Sequence, residues 1–199
     1  MKKGRNRSAH NSLLLRRVGR LSRANCSAQV WVETVIYTLI GLAVIGILLA
    51  VAKPKIDEIK DKAVIDQSIE GMDLINAKIQ AVRAAPGNRR VVDVNIDKGR
   101  VIIDNEADTI SWVIDNSEVE YSQVGVDEWV PVSGHLEVNT VEASPYTITL
   151  KMEYSVDLRY EEQTTGTKEL DEAPTPYLIK IENRGLEGGE NTVIVLSEE

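Results

Sequence analysis

Phenylalanine is absent from this 199-residue chain, cysteine occurs once and histidine twice. A single thiol, Cys26, cannot close an intrachain disulfide, so whatever folds downstream of it must do so by packing alone. Beyond residue 28 the only histidine is His135 and there is no cysteine, which leaves no zinc set and no Cys–His nucleophile pair. The serines lack the flanking glycines of a nucleophile elbow, and no Gly-rich phosphate loop precedes a helix. Asn-x-Ser/Thr occurs only at Asn6-Arg7-Ser8 and Asn25-Cys26-Ser27, both in the basic N-terminal segment. Acid is missing from residues 1–28 altogether.

What is present is sharply partitioned. Residues 1–28 carry eight Lys or Arg, whereas residues 53–199 carry 15 basic and 30 acidic side chains, a net of −15. Between them, Val30 to Ala52 is a run of 23 residues with one ionisable side chain expected to be charged, Glu33. As a helix this run is roughly 34 Å long, enough to cross a hydrocarbon core of about 30 Å. The positive-inside rule then keeps the N-terminus in the cytoplasm and exports the acidic remainder. A basic tail also suits nucleic acid, but next to a spanning helix it reads as a topology signal, and no nucleic-acid partner is assigned. Leu13-Leu14-Leu15, Val18 and Leu21, set among arginines, suit a short amphipathic helix on the inner membrane surface. An ordinary secretory signal is cut after its apolar region, yet Lys53-Pro54-Lys55 follows at once and the run exceeds a usual signal core.

An acid inside the apolar edge of a spanning helix costs a few kcal/mol and marks function unless it lies close enough to the interface to snorkel. Both readings are open for Glu33 from its position alone. Its surroundings are specific, however: Ala28, then Gln29, Glu33 four residues on, and Tyr37 four beyond that. A basic leader, a small residue, Gln, an acid at the fifth position counting that Gln as the first, and an apolar helix together resemble the archaeal type IV pilin and archaellin superfamily, whose precursors carry class III signal peptides. The resemblance covers Ala28 to about Val82, with Trp31 and Tyr37 standing where the family more often has a small residue and Leu. It implies that a membrane prepilin peptidase cuts between Ala28 and Gln29. It further implies that Glu33 pairs with the new Gln29 ammonium of a neighbouring subunit, and that identical or related pilin subunits join in a surface filament. On this reading the protein is held in the membrane before assembly and is a structural subunit, not an enzyme, with no cofactor.

Pro54 is expected to kink or locally melt the helix. Beyond it Ile56, Ile59, Ala63, Ile65, Ile69, Met72, Ile75, Ile79 and Val82 form one apolar stripe, while Lys53, Lys55, Asp57, Glu58, Lys60, Asp61 and Lys62 read as a solvated face. Gly46 and Ala50 make a small-xxx-small pair, and Pro86-Gly87 stops the helix. From Arg90 the period becomes two. Val92, Val94 and Ile96, a turn at Asp97-Lys98-Gly99, then Val101 and Ile103 predict a hairpin. Further strands are predicted at 109–116, 118–126, 134–141, 177–182 and 192–196, with a polar loop at 161–176 and a Gly-rich turn at 185–190. Tyr146 to Tyr160 alternates apolar and polar throughout and reads as one strand with one buried side.

The expected architecture is therefore α+β. Its parts are a leader (1–28), a transmembrane and assembly helix (29–52), an amphipathic continuation (53–87), and an exported antiparallel β-sandwich-like domain (88–199), the whole type IV pilin-like. Asp104, Glu106 and Asp108 alternate in a turn that lacks the Gly and distal acid of a known calcium loop, so they read as a solvated turn. Trp112, Trp129 and the tyrosines read as core and edge residues rather than a sugar platform. The rival to the filament subunit is a permanently membrane-anchored single-pass surface protein whose β domain binds a ligand or partner.

Overall fold

The computed structural model describes residues 25–124, 128–141, 145–187 and 191–199, with the side chains of 25–29 outside the description. The basic leader expected over 1–28 therefore lies outside the described residues except for the backbone of its last four. The chain divides into two compact units between Lys53 and Pro54. It is α+β: one long helix, α1 (Asn25–Arg83), precedes ten strands among the described residues.

In the first unit every side chain from Val30 to Lys53 is exposed. A helix whose side chains are nearly all apolar, with no face turned inward, has no core of its own to build. Pro54 does not melt the helix, whose assignment continues through it to Arg83. A proline removes one N–H and crowds the carbonyl four residues back, at about 3 kcal/mol. Strong helix-forming sequence on both sides keeps the remaining ladder intact, and the proline marks the boundary between the units instead.

In the second unit the buried positions of α1 are Asp61, Ile65, Ser68, Met72, Ile75, Ile79 and Val82, spaced alternately four and three apart. That is a narrow seam of the kind used when one side of a helix packs. The expected stripe holds from Ile65 onward. Its upper end does not: Ile56 is 49% exposed, Ile59 is 68% exposed and Ala63 is exposed. Asp61, expected on the solvated face, lies on the seam and is buried. Ser68 settles there by donating to Val64 O at 2.9 Å.

Two sheets complete this unit. The larger contains β2 (Arg100–Asp104), β3 (Thr109–Ser117), β4 (Val130–Ser133), β5 (Leu136–Val141), β6 (Tyr146–Glu153) and β8 (Thr167–Asp171) in the order β4-β5-β6-β3-β2-β8, all antiparallel. The smaller contains β1 (Arg89–Val94), β7 (Asp157–Tyr160), β9 (Tyr177–Leu186) and β10 (Thr192–Glu198) in the order β1-β9-β10-β7, with β10 and β7 parallel. Inward residues of both sheets and the α1 seam form one hydrophobic core. Gly71 leaves room for the buried Trp112, whose ring would come within 3.0 Å of any Cβ there.

Several strand assignments made from periodicity change. Residues 89–104 are not a hairpin, because β1 pairs with β9 and β2 with β3 and β8 in the other sheet. Ile96 stays fully buried at the crossing, and Gly99 turns the chain with φ +84° against Val113 O. Likewise 146–160 is two strands, β6 and β7, in different sheets. Burial still alternates from Ile148 to Tyr160 without a fault, since both sheets face the same core. Residues 118–124 are irregular rather than a strand, and 125–127 lie outside the described residues. The supposed loop 161–176 contains β8, anchored by buried Leu170, and Gly185 and Leu186 belong to β9 rather than to a turn. β4 is a short edge strand carrying Pro131, which its alternation did not announce.

Candidate functional site

The site predicted from sequence is the start of the apolar segment. The backbones of Ala28 and Gln29 are helical, and their side chains lie outside the described residues. Glu33 is exposed, and the Tyr37 hydroxyl donates to its Oε1 at 3.2 Å. Residues four apart on a helix are neighbours, and each side chain leans toward the helix N-terminus, so a tyrosine reaches back to an acid one turn earlier. The other two hydroxyls of the segment are committed to backbone: Thr34 donates to Val30 O at 3.0 Å and Thr38 to Thr34 O at 2.7 Å. Among the described residues Tyr37 is thus the one side chain that donates to Glu33.

Further along, Gly41 and Gly46 have nothing within 4 Å of where a Cβ would stand. Glycine inside a helix costs about 0.5–1 kcal/mol relative to alanine. Among the described residues no contact requires that cost at either position. Gly71 and Gly99 differ, since each faces a neighbour that a side chain would strike.

In the second unit the sequence singled out three acids, and the structure gives two of them their own occupation. Asp104 Oδ1 accepts from Glu106 N and Ala107 N at 2.9 and 3.0 Å, a local turn brace. Asp108 Oδ1 accepts from Leu158 N at 2.8 Å and ties the β2–β3 turn to β7. Burial raises the Asp108 carboxyl above its ordinary value, outweighing that hydrogen bond, and Asp157 and Asp104 push the same way. Glu106 is exposed. No group of three or more metal-ligating side chains converges among the described residues. His135 sits exposed in the two-residue turn between β4 and β5. Trp112 is core, with its Nε1 donating to Lys98 O at 3.2 Å, and Trp129 is a half-exposed edge residue under the Lys151 ammonium, 4.2 Å from its ring centroid.

A polar cluster that sequence reasoning missed joins α1 to the sheets. Asp61 Oδ1 meets Lys98 Nζ at 2.6 Å, its Oδ2 accepts from Glu118 N at 2.8 Å, and Lys98 Nζ also donates to Asn116 O at 2.8 Å. Its signal was present, because Asp61 stands four residues before Ile65 on the seam. At the other end, buried Asn183 donates from Nδ2 to Val82 O at 2.9 Å and so caps the last turn of α1, while its Oδ1 accepts from Gly185 N at 2.8 Å. No family model, curated protein or solved structure matches the chain.

Proposed function

We propose that this protein is a structural subunit of an archaeal type IV pilus-like surface filament. It would be made with a basic leader, cut between Ala28 and Gln29 by a prepilin peptidase, and stored in the membrane through Val30–Ala52. The carrying observation is a helical segment with mean hydropathy 2.7 in its most apolar window, every side chain from Val30 to Ala52 outward, and one carboxyl at the fifth position from Gln29. Such a surface needs either lipid or like helices around it. Unexplained glycines at Gly41 and Gly46 favour close approach by another helix.

In the filament, apolar helices replace lipid contact with contact to one another. Glu33 would meet the ammonium of a neighbouring subunit's Gln29. Either charge alone in apolar surroundings is costly, whereas the hydrogen-bonded pair offsets much of that cost and so sets the axial register of an arriving subunit. The β domain would form the outer coat.

Intact-mass measurement of membrane-extracted protein, with electron microscopy of sheared surface material, tests this. Expected are a species beginning at Gln29 and filaments containing it. Glu33→Gln should keep insertion and leader removal yet yield no filaments. Retention of Met1–Ala28 in a protein that never polymerises would leave the tethered surface protein as the reading.

A further inference from the structure

We propose that Tyr37 is the positioning residue for Glu33: its phenol holds Oε1 while the subunit waits in the membrane and leaves the second oxygen for the arriving cation. The inference rests on the filament reading and adds a partner within the subunit. An acid in an apolar segment needs a hydrogen-bond donor at hand, because lipid supplies none. Thr34 and Thr38 flank it but spend their hydroxyls on backbone carbonyls one turn back. The Tyr37 hydroxyl, 3.2 Å from Oε1, is the remaining hydroxyl of the segment and, among the described residues, the one side chain that donates to Glu33.

Tyrosine suits the place for two reasons. Its ring is an apolar body that can lie among acyl chains or neighbouring helices, while its hydroxyl is a polar tip. Set one turn deeper than Glu33 and leaning toward the N-terminus, it supports the carboxyl from below and tips it toward the interface. A free Glu side chain samples several rotamers, and fixing one before encounter removes that ordering cost from the assembly step. Phenylalanine would keep the ring and lose the support; leucine would lose both.

The test uses the full chain in lipid nanodiscs with tyrosines carrying 13C at Cζ. Six tyrosines give six lines, and the one missing in Tyr37→Phe belongs to Tyr37. In Glu33→Gln that line alone should move, because its hydroxyl changes partner from a carboxyl to an amide. Filament yield should fall about threefold to tenfold in Tyr37→Phe, the range of one ordinary hydrogen bond. Tyr37→Leu should fall at least as far. A Tyr37 line that ignores Glu33→Gln overturns the inference whether or not filaments form. So does a Tyr37→Phe protein that assembles like the wild type while Tyr37→Leu does not, since ring bulk would then be what matters. Absence of filaments from the wild type refutes the assembly reading instead, and the spectral arm still decides the contact.

Discussion

Replacing Asp61 by alanine should release α1 from the sheets at the upper end of the second unit. The carboxylate is buried, with its side chain 11% exposed, and holds two partners: the Lys98 ammonium at 2.6 Å and the Glu118 N–H at 2.8 Å. Alanine leaves the Glu118 N–H without an acceptor in a half-buried place, at about 1–3 kcal/mol. It also removes a paired charge from Lys98. Breaking a fully buried pair costs about 3–5 kcal/mol, but Lys98 is 26% exposed and keeps the Asn116 carbonyl at 2.8 Å, so water and that carbonyl recover much of it. A net loss of about 2–3 kcal/mol follows, a fall in Tm of about 6–9 °C for a unit of this size. Thermal and urea unfolding of the full chain in detergent, followed by tryptophan emission, to which Trp112 and Trp129 of this unit contribute, would read it. Asp61→Asn keeps an acceptor for Glu118 N and should cost about half as much. In a double-mutant cycle, Lys98→Met should cost distinctly less once Asp61 is alanine. A loss under about 0.5 kcal/mol for Asp61→Ala would mean that the cluster is an ordinary surface ion pair and that apolar packing alone docks the helix.

Asp108→Asn should stabilise the fold at neutral pH. Burial raises the folded carboxyl above its unfolded value, so this group's favourable contribution is complete below the unfolded value and is lost as pH rises through the folded one. Asparagine keeps an acceptor for Leu158 N and tolerates φ +52°. Its advantage in urea midpoint should be present at pH 7 and vanish in acid; an advantage that persists there points to backbone preference alone. Gly99→Ala should destabilise by about 3 kcal/mol or more, because φ is +84° and the new methyl would stand 2.1 Å from Val113 O. A midpoint unchanged in that variant would contradict the close approach of the corner to β3. Gly46→Leu should leave the midpoint of the β unit where it was, since nothing lies within 4 Å of that position, while lowering filament yield at least tenfold on the proposed reading. Wild-type filament yield from this variant would assign the glycine to something other than helix contact.

Composition and period were enough to determine the helix, its apolar part, its amphipathic seam from Ile65 onward, and the inward side of β1, β2, β6 and β7. Those properties are local: an alternation of two or three-and-a-half residues is written along the chain, and burial answers to it residue by residue. The acid at position 33 and the tyrosine one turn on were equally legible, because spacing within a single helix fixes which side chains meet. Which sheet a strand joins was not legible. Val92-to-Ile103 and Tyr146-to-Tyr160 each cross between sheets while keeping their inward faces, so alternation records contact with the shared core and carries no information about the hydrogen-bonded neighbour. β8 escaped notice because at an edge it needs only one buried residue, Leu170. The partners that satisfy Asp61 and the capping of α1 by Asn183 came from the tertiary structure alone, since each polar group is tolerable inside only when a partner 37 or 101 residues away arrives to satisfy it.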